Sequence, residues 1–254
     1  MTATAPVALV TGGARRIGRA ITEDLSRHGW AVAIHCNRSR AEAEALAEDC
    51  RQSGGKAAVV AADLADADAV RSIVERAQGA LGPVSLLVNN ASVFEPDGIG
   101  QLDAALWQRQ MAVNLAAPVF LADAFAAALP SGTEGNIVNL VDQRAWKPTP
   151  LYMSYQLSKS ALLVATRTLA QALAPRIRVN AIGPGPTLPS PRQQEADFRR
   201  QAAAVPLRRA TDLADFGRTI RFLVATPSIT GQMIALDGGQ HLAWQTPDIL
   251  DANE

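Results

Sequence analysis

Cysteine, histidine and lysine are all scarce in this 254-residue chain, and each shortage removes a class of function. Two cysteines, Cys36 and Cys50, cannot build a disulfide framework for a chain of this length. Neither they nor His28, His35 and His241 fall into a CxxC or HExxH spacing, so no metal site is expected. Net charge is missing too: 24 basic side chains balance 24 acidic ones, which leaves no global field for nucleic acid or an anionic membrane. A membrane span needs ~20 residues with few or no charges, and the longest mostly apolar stretch, 112–129, is interrupted by Asn114, Pro118 and Asp123. Residues 1–6 carry no basic cluster and lead straight into a strand pattern, so no signal peptide is expected and the protein reads as soluble and cytoplasmic. Only Lys56, Lys147 and Lys159 supply lysine against a background rich in arginine. A lysine inside a motif is therefore conspicuous.

What is present is a full complement of apolar residues, 48% of the chain, enough for one domain-sized core. Short apolar or β-branched runs fall at 7–10, 31–35, 57–61, 84–88, 136–141, 178–182 and 233–236. Between them, sets such as Val70, Ile73, Val74, Ala77, Leu81 and Leu213, Phe216, Ile220, Leu223 recur at helical spacing. Strands alternating with helices predict an α/β fold: a single Rossmann-like, doubly wound domain over 1–254, with a seven-stranded parallel sheet covered by helices on both faces. One long proline-rich loop, 183–194, begins a predicted substrate lid over 183–205; residues 246–254 form a polar tail.

The first strand runs into Thr11-Gly12-Gly13-Ala14-Arg15-Arg16-Ile17-Gly18 and then into helical spacing. A glycine-rich turn there lets backbone amides approach a pyrophosphate at a helix N-terminus, although the strict GxGxxG is absent and a plain strand-to-helix turn has the same outline. After the second strand the chain reads Asn37-Arg38-Ser39, with no carboxylate before Glu42. Arginines here and in the loop favour a 2′-phosphate, hence NADP(H) over NAD. Ser39 with Glu42 also fits a helix capping box, and Asp63 suits either an adenine edge or a turn.

Farther along stand Asn89-Asn90-Ala91-Ser92, Asn114 within a helical pattern, Asp142 after the fifth strand, and Tyr155 one helical turn before Lys159. A lysine ammonium beside a phenol favours the phenolate and is expected to lower the tyrosine pKa.

Together these residues resemble the short-chain dehydrogenase/reductase family over about residues 5–242: Thr11-Gly12…Gly18, Asp63-Leu64, Asn89-Asn90-Ala91, Asn114, Tyr155…Lys159, Val179-Asn180…Pro184-Gly185 and Asp237-Gly238-Gly239. The resemblance implies hydride transfer with a nicotinamide cofactor and a homotetramer. It implies cofactor contacts from Gly12, Arg15, Arg16, Ile17, Gly18, Asn37, Arg38, Ser39, Asp63, Leu64, Asn90, Ala91, Ser92, Tyr155, Lys159, Pro184 and Gly185. Arg16 stands where the family has its second loop glycine, and Asp142 stands where it has its catalytic serine. With Phe94 these departures look like the pteridine reductase and dihydromonapterin reductase branch. That likeness implies substrate contacts from Arg16, Ser92, Phe94, Asp142 and Tyr155, with Phe94 stacked on the pterin, and catalysis by Tyr155, Lys159, Asp142 and Asn114, the last anchoring a water.

The expected activity is NADPH-dependent reduction of a dihydropterin (dihydromonapterin, dihydrobiopterin or dihydrofolate). A carbonyl or 3-oxoacyl reductase that tolerates Asp142 is the alternative enzyme, and a non-catalytic NADP(H)-sensing module the alternative of another class. The partner expected is a small-molecule substrate.

Overall fold

The computed structural model describes residues 5–190 and 192–244; the predicted polar tail lies outside them. Seven strands form one parallel sheet: β1 (Val7–Val10), β2 (Ala31–Cys36), β3 (Ala57–Ala61), β4 (Val84–Asn89), β5 (Gly135–Leu140), β6 (Ile177–Pro184) and β7 (Met233–Leu236). Their order is β3-β2-β1-β4-β5-β6-β7. The chain therefore changes winding direction between β1 and β4, which opens a crevice at the carboxyl ends of those strands.

Side-chain alternation explains why the sheet is covered on both faces. In β1, Val7 and Leu9 join a core cluster with Ile73, Leu121 and Phe125, while Ala8 and Val10 join another with Ile21, Leu25, Phe216 and Ile220. The first layer holds helices α3 (Ala67–Leu81), α5 (Ala117–Ala128) and α6 (Met153–Leu173); the second holds α1 (Arg16–Arg27), α2 (Arg40–Gln52) and α8 (Leu213–Ala225). A sheet buried on both faces needs near-continuous apolar strands, and β1 and β2 are buried at every position. The run from α4 (Ala104–Met111) through α5 is long and apolar enough to span a membrane by composition alone; its face of Val113, Ala117, Leu121 and Phe125 belongs to the core.

Three local features depart from the sequence expectation. The helix at Asn114 contains a π-helical segment, Ala112–Ala116, joining α4 to α5. A second long irregular stretch lies between β4 and α4, so 183–194 is not the sole long loop. Finally, α7 (Glu195–Ala203) occupies the latter part of the predicted lid.

Arg178 on β6 binds the free carbonyls at the end of α8. Its guanidinium donates to Leu223, Val224, Thr226 and Ile229 oxygens at 2.8–3.0 Å, which satisfies acceptors that a helix C-terminus leaves unpaired. Replacing Arg178 with Met is expected to lower unfolding stability by about 3 kcal/mol, measured by urea denaturation. An unchanged midpoint would show that water replaces these bonds at no loss.

Candidate active site

The first loop can turn back on itself only where side chains are absent. Gly12 has φ +60°, and a Cβ on Gly18 would lie 2.1 Å from the Gly12 carbonyl oxygen. The loop is tied to the end of β4 from both sides. Thr11 Oγ1 accepts the Asn90 and Ala91 amides at 2.9 and 3.0 Å, and Asn90 Nδ2 donates to the Thr11 and Gly12 carbonyls.

This turn opens onto a cleft of about 530 Å³. Thirteen of the expected cofactor residues line it: Gly12, Arg15, Arg16, Ile17 and Gly18; Asn37, Arg38 and Ser39; Asp63 and Leu64; and Asn90, Ala91 and Ser92. Tyr155, Lys159, Pro184 and Gly185 are not among the residues lining it. No side chain caps the N-terminus of α1, and its first turn holds no acid, so its amides remain available to a phosphate. Arg15 and Arg38 add positive charge, with Glu42 3.9 Å from Arg15. These features fit a phosphorylated dinucleotide. Ser39 sits at the N-cap of α2 without a side-chain capping bond, so the capping-box alternative is not realised. Asp63 accepts the Ala65 amide at 3.0 Å and also lines the cleft, which makes it a turn residue facing the site.

His35 was not expected in the site. Its Nδ1 accepts the Gly12 amide at 3.1 Å and its Nε2 lies 3.2 Å from the Ala62 carbonyl. These two partners place the ring proton on Nε2. Burial, partly offset by the Ala62 carbonyl, lowers its pKa to about 4. The only sequence signal was a histidine inside an otherwise apolar strand.

At the other end, Tyr155 and Lys159 project from α6. Both are buried. The Tyr155 hydroxyl donates to Asp142 Oδ2 at 2.7 Å, and Lys159 Nζ donates to the Leu140 carbonyl at 2.7 Å. The expected lowering of the tyrosine pKa is overturned. Burial raises it well above the usual phenol value, and the Asp142 charge and hydrogen bond raise it further. Burial also brings Lys159 down to about 8, with Asp142 opposing that shift. At neutral pH Tyr155 therefore keeps its proton.

Asn114 is fully buried and acts through protein groups. Its Oδ1 accepts the Ser92 hydroxyl and the Val93 amide at 3.1 and 2.8 Å; its Nδ2 donates to the Val93 carbonyl and to Ser158 Oγ. Ser92 thus spends its proton on Asn114. Phe94 stacks on Tyr152 with centroids 4.4 Å apart and meets the Tyr155 ring edge-on at 4.7 Å. Arg16, at φ +53°, donates to the Pro189 and Leu188 carbonyls at 3.0 and 3.3 Å. It therefore joins the glycine loop to the long loop beyond β6.

Two residues missed by sequence reasoning shape the Tyr155 end. Asp97 accepts the Ser154 amide and gives its own carbonyl to the Tyr152 amide, anchoring the start of α6. Arg144 lies 3.6 Å from Asp142 Oδ2. Neither belongs to a local motif. Among the described residues no cluster of three or more metal-ligating side chains is found.

A profile of the family described as short chain dehydrogenase matches residues 6–200. Among solved structures, FolM alternative dihydrofolate reductase 1 from Brucella canis, complexed with NADP, is 60% identical with TM-score 0.95, covering 97% of this chain and 98% of that one. The Brucella suis counterpart, also in complex with NADP, is 61% identical with TM-score 0.95, covering 98% and 100%. A 3-oxoacyl-[acyl-carrier-protein] reductase from Synechocystis sp. is 30% identical over 246 residues, 93% of this chain and 97% of that protein.

Two buried bases with lowered pKa make predictions of the same sign for stability, each in its own pH window. Between pH 6.5 and about 4 the unfolded chain protonates His35 while the folded protein resists, so stability present above pH 6.5 declines by about 3 kcal/mol as pH falls to 4. Urea unfolding across that range should show this slope, reduced in His35→Gln. For Lys159 the folded protein binds the proton less tightly than the unfolded chain up to pH 10.5. Lys159→Met should therefore stabilise the ligand-free protein at pH 7 by about 2 kcal/mol, after allowing for the unpaired Leu140 carbonyl. A lower melting temperature for that variant would contradict the assignment.

Proposed function

The chain belongs to the short-chain dehydrogenase family, and on that premise we propose that it is an NADPH-dependent reductase of a dihydropterin, with dihydrofolate, dihydromonapterin and dihydrobiopterin as candidate substrates. The observation that carries this reading is the 2.7 Å bond from Tyr155 to Asp142, a carboxylate where a ketone reductase would have a hydroxyl donor. The high identity to the two Brucella dihydrofolate reductases supports it, as does their binding of NADP.

NADPH, when bound, supplies the hydride. The residues that would hold it are those of the 530 Å³ cleft, with phosphate at the α1 amides and the 2′-phosphate beside Arg15 and Arg38. A C=N bond reduced by hydride at carbon also needs a proton at nitrogen. Tyr155 retains its proton at neutral pH and would give it to that nitrogen once its O–H turns from Asp142 to the substrate, with Asp142, its 2.7 Å partner, completing the path by which the proton is replaced. Lys159, with a pKa of about 8, supplies the cation that balances a transient phenolate. Asn114 holds the 92–93 segment in place, and Phe94, stacked on Tyr152 at 4.4 Å with Arg192 Cζ 5.8 Å from its centroid, offers an aromatic face to a planar ring once one of these neighbours moves aside. Residues 183–205 act as the lid, latched by Arg16. We read the protein as a cytoplasmic homotetramer acting on small molecules, without nucleic acid or membrane. The balanced charge and the exposed Leu157 and Val164 on α6, which suit a symmetry partner, support this.

A 3-oxoacyl reductase is the second reading, favoured by the Synechocystis relative. The binding-module reading is disfavoured by the bonded Tyr155 and the adjacent Lys159. NADPH oxidation by purified protein with a dihydropterin panel, a simple ketone and a 3-oxoacyl thioester separates the three. Preferential dihydropterin turnover is expected, and Asp142→Ser should reduce it by about 100-fold or more. Turnover of dihydropterins no faster than of the ketone would overturn the assignment.

A further inference from the structure

Asp142 has a second cation that no motif announces. Arg144 Nη1 lies 3.6 Å from Asp142 Oδ2, the oxygen that accepts the Tyr155 hydroxyl, while the Arg144 amide donates to Asp142 Oδ1 at 2.8 Å. Both carboxylate oxygens therefore face donors, and one residue addresses each of them. The Arg144 backbone is held on its other side as well, since its carbonyl accepts Gln156 Nε2 from α6 at 2.8 Å. The side chain is largely buried, with about a quarter of its surface exposed (23%).

The guanidinium also has an aromatic boundary. Its Cζ lies 5.5 Å from the Phe94 centroid and 5.6 Å from the Tyr152 centroid, while those centroids are only 4.4 Å apart. A group nearly equidistant from two stacked rings sits beside the stack, not on an outer face. The stack thus walls Arg144 toward Asp142 and leaves the far face of Phe94 outside this contact.

We propose that Arg144 is a positioning residue for the reaction: its cation fixes the Asp142 carboxylate in place as the hydrogen-bond partner of the Tyr155 hydroxyl. The proposal rests on reading Asp142 and Tyr155 as the proton path. The charged and titratable groups facing Asp142 are Arg144 on its own turn and Tyr155 and Lys159 on α6. His241, on the neighbouring turn Gln240–Leu242, has its imidazole committed to Asp237 at 2.6 Å. Lys159 Nζ donates to Leu140. Arg144 is accordingly the guanidinium committed to the carboxylate.

Replacing Arg144 with Met should lower kcat by roughly tenfold, because the Asp142 carboxylate loses one of the two groups that fix it. KM should change less than kcat, because the cation serves the proton path. Arg144→Lys retains the charge and should restore most of the wild-type kcat.

A readout free of turnover separates this proposal from the substrate assignment. In ligand-free protein at pH 7, the Asp142 ¹³Cγ chemical shift, identified by its loss in Asp142→Asn, should move in Arg144→Met and return toward the wild-type value in Arg144→Lys, because the carboxylate loses and regains the cation beside Oδ2. Coincident wild-type and Met resonances would overturn the proposal, as would a Lys variant displaced as far as Met. If no dihydropterin is reduced but the resonance shifts, the substrate reading fails while the Arg144 assignment stands.

Discussion

The buried amide of Asn114 is the interaction on which the active site depends. It bonds the 92–93 segment through its oxygen and Ser158 through its nitrogen. Ser158 in turn donates to the Tyr155 carbonyl at 2.7 Å, and the chain entering residue 92 is bonded at Asn90 and Ala91 to Thr11. A continuous line of hydrogen bonds thus runs from the phosphate loop to the helix that carries the proton donor. Few other side chains carry an acceptor and a donor on one planar head. The π-helical segment follows from that demand, because a locally wider turn re-aims one side chain without ending the helix.

Buried charge is the second constraint. Lys159 and the Tyr155–Asp142 pair lie in a region that the sheet and α6 close off from water. Burying such groups opposes folding, and partners offset only part of that cost. The apolar layers on both sheet faces make it tolerable: β1, β2 and β4 are almost wholly buried. The fold supplies the stability and the site spends part of it on groups whose protonation is displaced from solution values.

Periodicity revealed the framework because its cause is local. Four-residue β1 and β7 and five-residue β3 fall where their apolar runs predict, and the alternation of strands and helices accounts for the parallel sheet, whose winding reversal is read from the strand order. The phosphate cleft was legible for a similar reason: glycines and arginines sit together in short stretches of chain. What escaped depends on distant partners. His35 matters only because Gly12 and Ala62 converge on its ring, and Arg144 only because the turn after β5 brings it against Asp142 and an aromatic pair. The direction of the Tyr155 shift also escaped. A charge one helical turn away is visible in sequence, whereas the depth at which the pair lies is not, and burial outweighed the expected charge effect.

Arg16 adopts a left-handed backbone that an L-residue reaches at roughly 1–2 kcal/mol, and its guanidinium connects two parts of the molecule. One end of this residue borders the phosphate cleft and the other grips the carbonyls of Leu188 and Pro189. Dinucleotide occupancy and closure of the proposed lid would therefore share a side chain and become linked equilibria. Any ligand that draws the guanidinium into the cleft weakens the grip on the loop, and by reciprocity a tightly held loop raises the free energy of that ligand's binding by the same amount. A glycine at this position would relieve the strain and dissolve the linkage, leaving the order of ligand entry and exit to the loop alone.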